Sequence, residues 1–179
     1  DIDSDQEVFG FWAFDFSVIP VETISSIYEQ FLKGENERRQ EETGAYYTPR
    51  NLAELLVATV VEADEALLDK RVLDPSCGSG IFLVILFNRM AEEWRLENPK
   101  AEIGGRFEAL KAVFGRICGV DLNETACRIT CFSLYIAFLD QFDPRDLRLL
   151  KQEVAARKRR PLLPPLMVSA RDSAVAHGF

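Results

Sequence analysis

Three aspartates follow short apolar runs of the sequence, and their chemistry suits a nucleoside ligand. They are Asp74, Asp121 and Asp172. If each run is a strand of a parallel sheet, the three carboxylates line one edge of that sheet. A carboxylate there accepts hydrogen bonds from a ribose diol or an amine and repels a phosphate. The pattern therefore favours a nucleoside that carries hydroxyl and cationic groups.

A turn of small residues follows the first of these acids. Ser76, Cys77, Gly78, Ser79 and Gly80 separate Asp74-Pro75 from an apolar run. Glycine allows a ligand to approach the backbone closely, and a following helix aims free N–H groups at the turn. The sequence has no GxxxxGK[ST] motif, which excludes a phosphate-cradling P-loop. The third glycine of the dinucleotide fingerprint is also missing, so NAD is disfavoured.

S-adenosylmethionine (SAM) fits this set of residues better. It carries a ribose diol, an adenine amine, a sulfonium and an α-amino group. Asp74 is placed to attract the amino-acid end, Asp121 to bind the ribose hydroxyls, and Asp172 to lie near the adenine amine.

The elements that must position these residues alternate between helix and strand. After an aromatic-rich N-terminal arm, apolar spacing predicts helices at residues 24–32, 50–60, 81–96, 106–115, 124–139 and 143–159, and strands at 71–74, 117–121 and 166–168. The apolar stripe of the second helix consists of Leu52, Leu55, Leu56, Thr59 and Val60. This alternation predicts an α/β fold with an incomplete parallel sheet flanked by helices, preceded by an N-terminal helical extension.

Composition limits the partners and the compartment. The chain of 179 residues has a net charge of −8, which is unusual for a DNA-binding domain acting alone. The basic cluster at residues 157–160 is either a solvated helix end or a phosphate contact. No apolar run is long enough to span a membrane, and the acidic N-terminus is unlike a signal peptide. We expect a cytoplasmic protein with no membrane partner, and the missing initial Met suggests a piece of a longer chain.

The four cysteines predict buried reduced thiols and no metal site. They are Cys77, Cys118, Cys127 and Cys131, none forms a CxxC pair, and His177 is the sole histidine. A zinc site needs about four such ligands in suitable spacing.

Four motifs resemble a known family when they are taken in order. They are GAYYTP at 44–49, LDPSCGSGIF at 73–82, GVDLNE at 119–124 and RDS at 171–173. Together they resemble the cofactor motifs of bacterial DNA adenine-N6 methyltransferases of the gamma type. These enzymes occur in restriction–modification systems, including fused restriction–modification polypeptides and type I modification subunits. The resemblance covers about residues 18–135 and 166–173, including IPVETISSIYEQFL before GAYYTP.

The resemblance implies a Rossmann-like SAM-dependent methyltransferase fold and a role for each matched residue. Tyr47, Thr48 and Pro49 would lie against the methionine end of SAM. Asp74, Ser76, Cys77, Gly78 and Gly80 would hold its amino-acid portion. Asp121 would bind the ribose, Leu122 would contact the adenine ring, and Asp172 would accept from the adenine amine. The residues alone favour a core position for Tyr46 and Tyr47 over contact with the flat face of a ligand, and it is the resemblance that moves Tyr47 to the site.

Departures from the family pattern limit what the chain is expected to do. The Asn/Asp/Ser-Pro-Pro-aromatic catalytic motif is absent, because Leu163-Pro164-Pro165-Leu166 lacks both the polar and the aromatic residue. No catalytic residue is therefore assigned, and we expect the target-recognition domain, which is C-terminal in this family, to lie outside these residues. The distance from Asp74 to Asp121 exceeds the roughly 30 residues of a βαβ unit, which predicts an inserted helix around 98–115.

The predicted organisation is an arm and helical extension at 1–45 and a SAM-binding methyltransferase domain at 46–179, truncated before the catalytic motif. The predicted function is cofactor binding within a site-specific adenine methyltransferase of a restriction–modification or related phage-defence system. Double-stranded DNA would bind through regions outside this chain, and restriction or specificity subunits are further candidate partners. The alternatives are a non-catalytic scaffold of the same fold, or a methyltransferase acting on RNA or protein.

Overall fold

A computed structural model describes Thr23, Ile27 and residues 48–62, 67–156 and 167–170. In chain order the elements are α1 (Arg50–Glu62), a short 3-10 helix (Leu67–Asp69), β1 (Val72–Asp74), α2 (Ile81–Glu97), α3 (Ile103–Phe114), β2 (Ile117–Asp121), α4 (Glu124–Leu139), α5 (Pro144–Ala156) and β3 (Met167–Ala170). Most of the helix predicted at 24–32 lies outside the described residues, as do Tyr47 and Asp172.

The described strands form one parallel sheet in the order β1-β2-β3. Val72 lies opposite Ile117, and Cys118 lies opposite Met167. Because the pairing is parallel and helices connect the strands, the carboxyl ends of all three meet at one edge. This confirms the predicted α/β class with a small parallel sheet. Asp74 lies opposite Gly119, so Asp121 stands two positions further along the same edge.

The core lies mainly among α2, α3 and α4, and a cluster of five phenylalanines stands at its centre. The rings of Phe87 and Phe114 meet edge to face with centroids 5.3 Å apart, and Phe138 is 5.3 Å from Phe114. Phe107 and Phe142 extend the cluster from Phe138. These packed helices support the sheet, because aromatic pairs contribute stabilising energy beyond that of the apolar area that they bury.

The inserted helix predicted between the first two strands is present, with a corrected start. It is α3, and it begins at Ile103 rather than at residue 106. Gly104 and Gly105 lie in its first turn. Because glycine has a low helix propensity, the sequence pattern did not predict a helix over these residues. The third strand is also shifted, to Met167–Ala170 from the predicted 166–168.

The apolar stripe predicted for α1 is not its buried face. Ala53 and Val57 are the buried residues of α1. The larger side chains of the stripe are exposed, including Leu55 at 64% and Val60 at 70%. The small Ala53 lets the backbone of α1 come close to α2, against which it packs. Within the described ranges no helix combines the length and apolar character needed to cross a membrane.

Candidate functional site

The turn between β1 and α2 has a backbone shape that requires glycine. Gly78 has φ of 54° and Gly80 has φ of 87°, both in the left-handed region. The Gly80 N–H donates to the Cys77 carbonyl at 2.7 Å, and the Val84 N–H donates to the Gly80 carbonyl at 2.9 Å. The turn therefore closes on itself and then starts α2 directly, which leaves its outer surface formed by backbone and small side chains.

Hydrogen bonds from the turn to β2 hold the turn against the sheet. The Cys77 N–H donates to the Val120 carbonyl at 2.9 Å. The Gly78 N–H donates to Asp121 Oδ2 at 2.8 Å, and the Asn123 N–H donates to Asp121 Oδ1 at 2.8 Å. The predicted site residues Gly78 and Asp121 are thus in direct contact. Each carboxylate oxygen can accept a second hydrogen bond, so Asp121 keeps capacity for ligand hydroxyls.

Asp74 carries the clearest sign of a binding site. Its Oδ1 accepts from the Ser76 N–H at 3.0 Å. Its Oδ2 is buried and has no hydrogen-bond partner among the described residues. Burial raises the pKa of this carboxyl above its ordinary value, and the nearby charge of Asp121 raises it further. An unpaired buried carboxylate oxygen is costly, so a cationic donor such as an amine would be favourable there.

An apolar groove lies beside Asp74, between α1, β1 and α2. Its volume is about 260 Å³. Its lining is apolar apart from Asp74 and consists of Leu56, Val57, Val60, Val72, Leu73, Asp74, Pro75, Phe82, Leu83 and Leu86. The Asp74 carboxyl, whose pKa burial raises, is thus the polar group of an otherwise apolar groove.

The remaining predicted residues occupy less constrained positions. Leu122 is 69% exposed directly after Asp121, where an apolar side chain can lie against a flat ring. Thr48 is half-buried and Pro49 is exposed, just before α1. The Pro49 carbonyl accepts from the N–H groups of Leu52 and Ala53 at 2.9 and 3.0 Å, which confirms Pro49 at the helix start. Tyr47 and Asp172 lie outside the described residues, so their roles remain predictions.

The cysteine of the turn is a packing residue. Cys77 is 3% exposed, and burial raises the pKa of its thiol to about 12. Cys127 is also buried, and burial raises the pKa of its thiol. Both thiols therefore stay protonated near neutral pH, which makes them poor nucleophiles. In the part of the chain that the structure describes, no three potential metal ligands form a cluster.

Two residues that position the turn were missed in the sequence. Gly119 of β2 leaves room for the turn, because a Cβ there would lie 3.0 Å from Leu83 Cδ1 and 3.2 Å from Cys77 Sγ. Thr130 of α4 donates its hydroxyl to the Gly78 carbonyl at 2.8 Å. The only local signal for Thr130 is a polar residue on the apolar face of a helix, which by itself does not indicate its partner.

Comparison with protein families identifies a family for this chain. A family model of N-6 DNA methylases matches residues 21–142, which is more than half of the chain. The matched range includes β1, the small-residue turn, β2 and α4. It thus contains Asp74 and the hydrogen bonds of Gly78 to Asp121 and Thr130. No curated protein sequence matches the chain.

Proposed function

Because the chain belongs to the N-6 DNA methylase family, we propose that it forms the SAM-binding part of an adenine-specific DNA methyltransferase. The parent reaction is methyl transfer to the exocyclic N6 amine of adenine in duplex DNA. The biological setting that we propose is a restriction–modification or related phage-defence system. The observation that carries the proposal is the buried, unpartnered Oδ2 of Asp74 beside a glycine turn that β2 holds in place.

The residues at the carboxyl edge of the sheet fit the chemical groups of SAM. Asp74 offers a buried carboxylate oxygen to the α-amino group. The turn from Ser76 to Gly80 offers backbone atoms to the amino-acid portion, and an added Cβ at Gly78 would meet no atom within 4 Å, so space over the turn is open. Asp121 offers oxygens to the ribose hydroxyls, and Leu122 offers an apolar surface to the adenine. When bound, SAM supplies an electrophilic methyl group.

The strand order supports a Rossmann-like sheet. Parallel strands in the order β1-β2-β3, joined by helices, correspond to one half of a doubly wound sheet. Ligands of such sheets bind outside the carboxyl ends of the strands, where Asp74 and Asp121 lie. Tyr47, Thr48, Pro49 and Asp172 complete the proposed pocket.

Methyl transfer needs groups that these 179 residues do not contain. The sequence has no Asn/Asp/Ser-Pro-Pro-aromatic motif to hold a flipped-out adenine, and its net charge is −8. We expect the chain by itself to bind SAM without methylating DNA. Double-stranded DNA is proposed to bind through other parts of the parent enzyme, with restriction or specificity subunits as further partners.

Calorimetric titration with SAM tests the proposal. The wild-type protein is expected to bind SAM, and Asp74→Asn should weaken binding at least tenfold, about 1.4 kcal/mol, because the amine loses its charged partner. Asp69→Asn is the matched control, since Asp69 has an 84% exposed side chain and lies before β1. This control should bind SAM as the wild type does.

The same titration separates the proposal from its alternative. A folded wild-type protein that shows no heat of binding at millimolar SAM would contradict cofactor binding and would favour a non-catalytic scaffold of the same fold. Equal affinity in Asp74→Asn and wild type would remove Asp74 from the proposed pocket.

A further inference from the structure

The buried threonine of α4 contacts the turn with both ends of its side chain. Thr130 is 0% exposed. Its hydroxyl donates to the Gly78 carbonyl at 2.8 Å and lies 3.7 Å from Cys77 Sγ. Its Cγ2 would be 2.9 Å from a Cβ added at Gly80. One side chain therefore holds a carbonyl of the turn and fills the space beside the left-handed Gly80.

Gly78 is held at both of its backbone polar groups. Asp121 accepts from its N–H at 2.8 Å, and Thr130 donates to its carbonyl. Both partners belong to the β2–α4 unit, more than 40 positions away along the chain. The orientation of the peptides on either side of Gly78 is therefore set by the sheet and by α4, and not by the turn alone.

The orientation of one peptide links Thr130 to the proposed pocket. No peptide bond among the described residues is cis, so the Gly78 carbonyl and the Ser79 N–H point in opposite directions across a planar unit. With the carbonyl held towards α4, the N–H side of this peptide faces away from α4. Loss of the Thr130 hydroxyl would leave the Gly78 carbonyl without this donor and would allow the peptide to rotate.

We propose that Thr130 is a positioning residue for cofactor binding, because its hydroxyl orients the Gly78–Ser79 peptide against which the amino-acid end of SAM lies. This inference rests on the proposed function. It assigns Thr130 no contact with SAM. A turn that is already ordered in the free protein lowers the entropy cost of ordering it when SAM binds.

Two substitutions at this position separate the hydroxyl from the methyl group. Thr130→Val keeps the shape and removes the hydroxyl, and it is expected to raise the Kd for SAM by about 3- to 10-fold, the usual worth of one hydrogen bond. Thr130→Ser keeps the hydroxyl and is expected to stay within about twofold of wild type, with the same conversion of energy to affinity. Affinities are measured by calorimetry, and folding by thermal melting of each protein.

A second ligand distinguishes positioning from general destabilisation. 5′-Methylthioadenosine retains the adenine and ribose of SAM and lacks the amino-acid group. If Thr130 acts through the turn, Thr130→Val weakens SAM and leaves 5′-methylthioadenosine affinity unchanged. Ser133→Ala is the matched control, because Ser133 is also 0% exposed on α4 and its Oγ has no hydrogen-bond partner among the described residues. It should leave both affinities unchanged.

Each outcome decides the proposal. Equal losses for both ligands in Thr130→Val, or SAM affinity equal to wild type, would overturn it. If Thr130→Val melts below the assay temperature, Thr130→Ser decides: retained SAM affinity supports the hydroxyl role, and a clear loss refutes it. A wild-type protein that binds neither ligand would refute the proposed function itself, whereas normal wild-type binding with an unaffected Thr130→Val would refute this inference alone.

Discussion

At the scale of single residues, the site depends on atoms whose partners are far away in the chain. Asp121 and Thr130 hold the two backbone groups of Gly78, while Asp74 keeps one buried oxygen unpaired. The first two contacts hold the turn in place, and the third leaves it with a buried oxygen that has no hydrogen-bond partner among the described residues. Such a combination costs stability in the absence of ligand and is typical of binding sites.

The first prediction concerns Asp74 and pH. Burial raises the pKa of its carboxyl in the folded protein. Between the unfolded and the folded pKa, the folded state therefore holds a proton that the unfolded state has released. The contribution of Asp74 to the free energy of unfolding is therefore fully present below the ordinary carboxyl pKa of about 3.9. It is lost as the pH rises through the raised folded pKa. Asp74→Asn removes this loss and should raise the Tm at neutral pH.

Melting curves at several pH values check the sign of the expected Tm difference between Asp74→Asn and wild type. The Tm advantage of Asp74→Asn should disappear as the pH falls below the ordinary carboxyl pKa, because wild type is then neutral as well. SAM affinity of the wild type should change in the opposite sense and increase as pH rises through the Asp74 pKa. A variant less stable than wild type at neutral pH would contradict the assigned cause of the pKa shift.

The second prediction concerns Gly80. A side chain there must adopt φ of 87° and overlap Thr130, so Gly80→Ala should destabilise the protein by about 2–4 kcal/mol. Gly105→Ala is the control, and it should change the free energy of unfolding in the opposite direction. An added Cβ at Gly105 of α3 meets no atom within 4 Å, and alanine favours a helix over glycine by about 0.5–1 kcal/mol. Denaturant unfolding measures both, and equal effects would contradict the described turn.

The sequence identified the turn and its acids but not all of the residues that hold them. Asp74, Gly78 and Asp121 stand in short motifs whose residue types show their chemistry. Thr130 acts through a hydrogen bond to a backbone carbonyl 52 positions earlier, and nothing in its own neighbourhood specifies that partner. Gly119 is similar, since its role depends on Cys77 and Leu83 lying against β2.

At the scale of elements, helix packing supports the edge of the sheet that forms the site. α2 follows the turn and α4 supplies Thr130, and both enclose the aromatic cluster with α3. Hydrophobic periodicity predicted each of these helices, because their apolar residues are numerous. It did not identify the buried face of α1, where Ala53 and Val57 are buried and the larger leucines are exposed.

The third prediction concerns this aromatic cluster. Phe138 is 0% exposed and its ring lies within 6.1 Å of those of Phe87, Phe107, Phe114 and Phe142. Phe138→Ala should cost about 3–5 kcal/mol of unfolding free energy, through lost contacts and the cavity left behind. Phe132→Ala on the same helix is the control, because Phe132 is 52% exposed and should change stability by less than about 0.5 kcal/mol. Similar losses in urea unfolding would show that α4 is rotated.

At the scale of the whole molecule, the parallel sheet brings together motifs that are far apart in the sequence. Alternation of helices and strands was sufficient to predict this class, and the family match supports the link to DNA methylation. The order of the strands and their register could not be predicted from periodicity, because both depend on packing between distant segments. The position of Asp121 beyond the Asp74–Gly119 pair is such a consequence, and it is what allows its carboxylate to reach Gly78.

SAM is proposed to lie on the turn at the carboxyl ends of β1 and β2. Nuclear magnetic resonance of isotope-labelled protein tests this position, because it follows each amide signal while SAM is added. Shifts should be concentrated at Ser76, Gly78, Gly80, Leu122 and Asn123, and the signals of α3 and α5 should stay unchanged. Saturable shifts confined to α3 or α5, or no shifts at millimolar SAM in a folded protein, would contradict it.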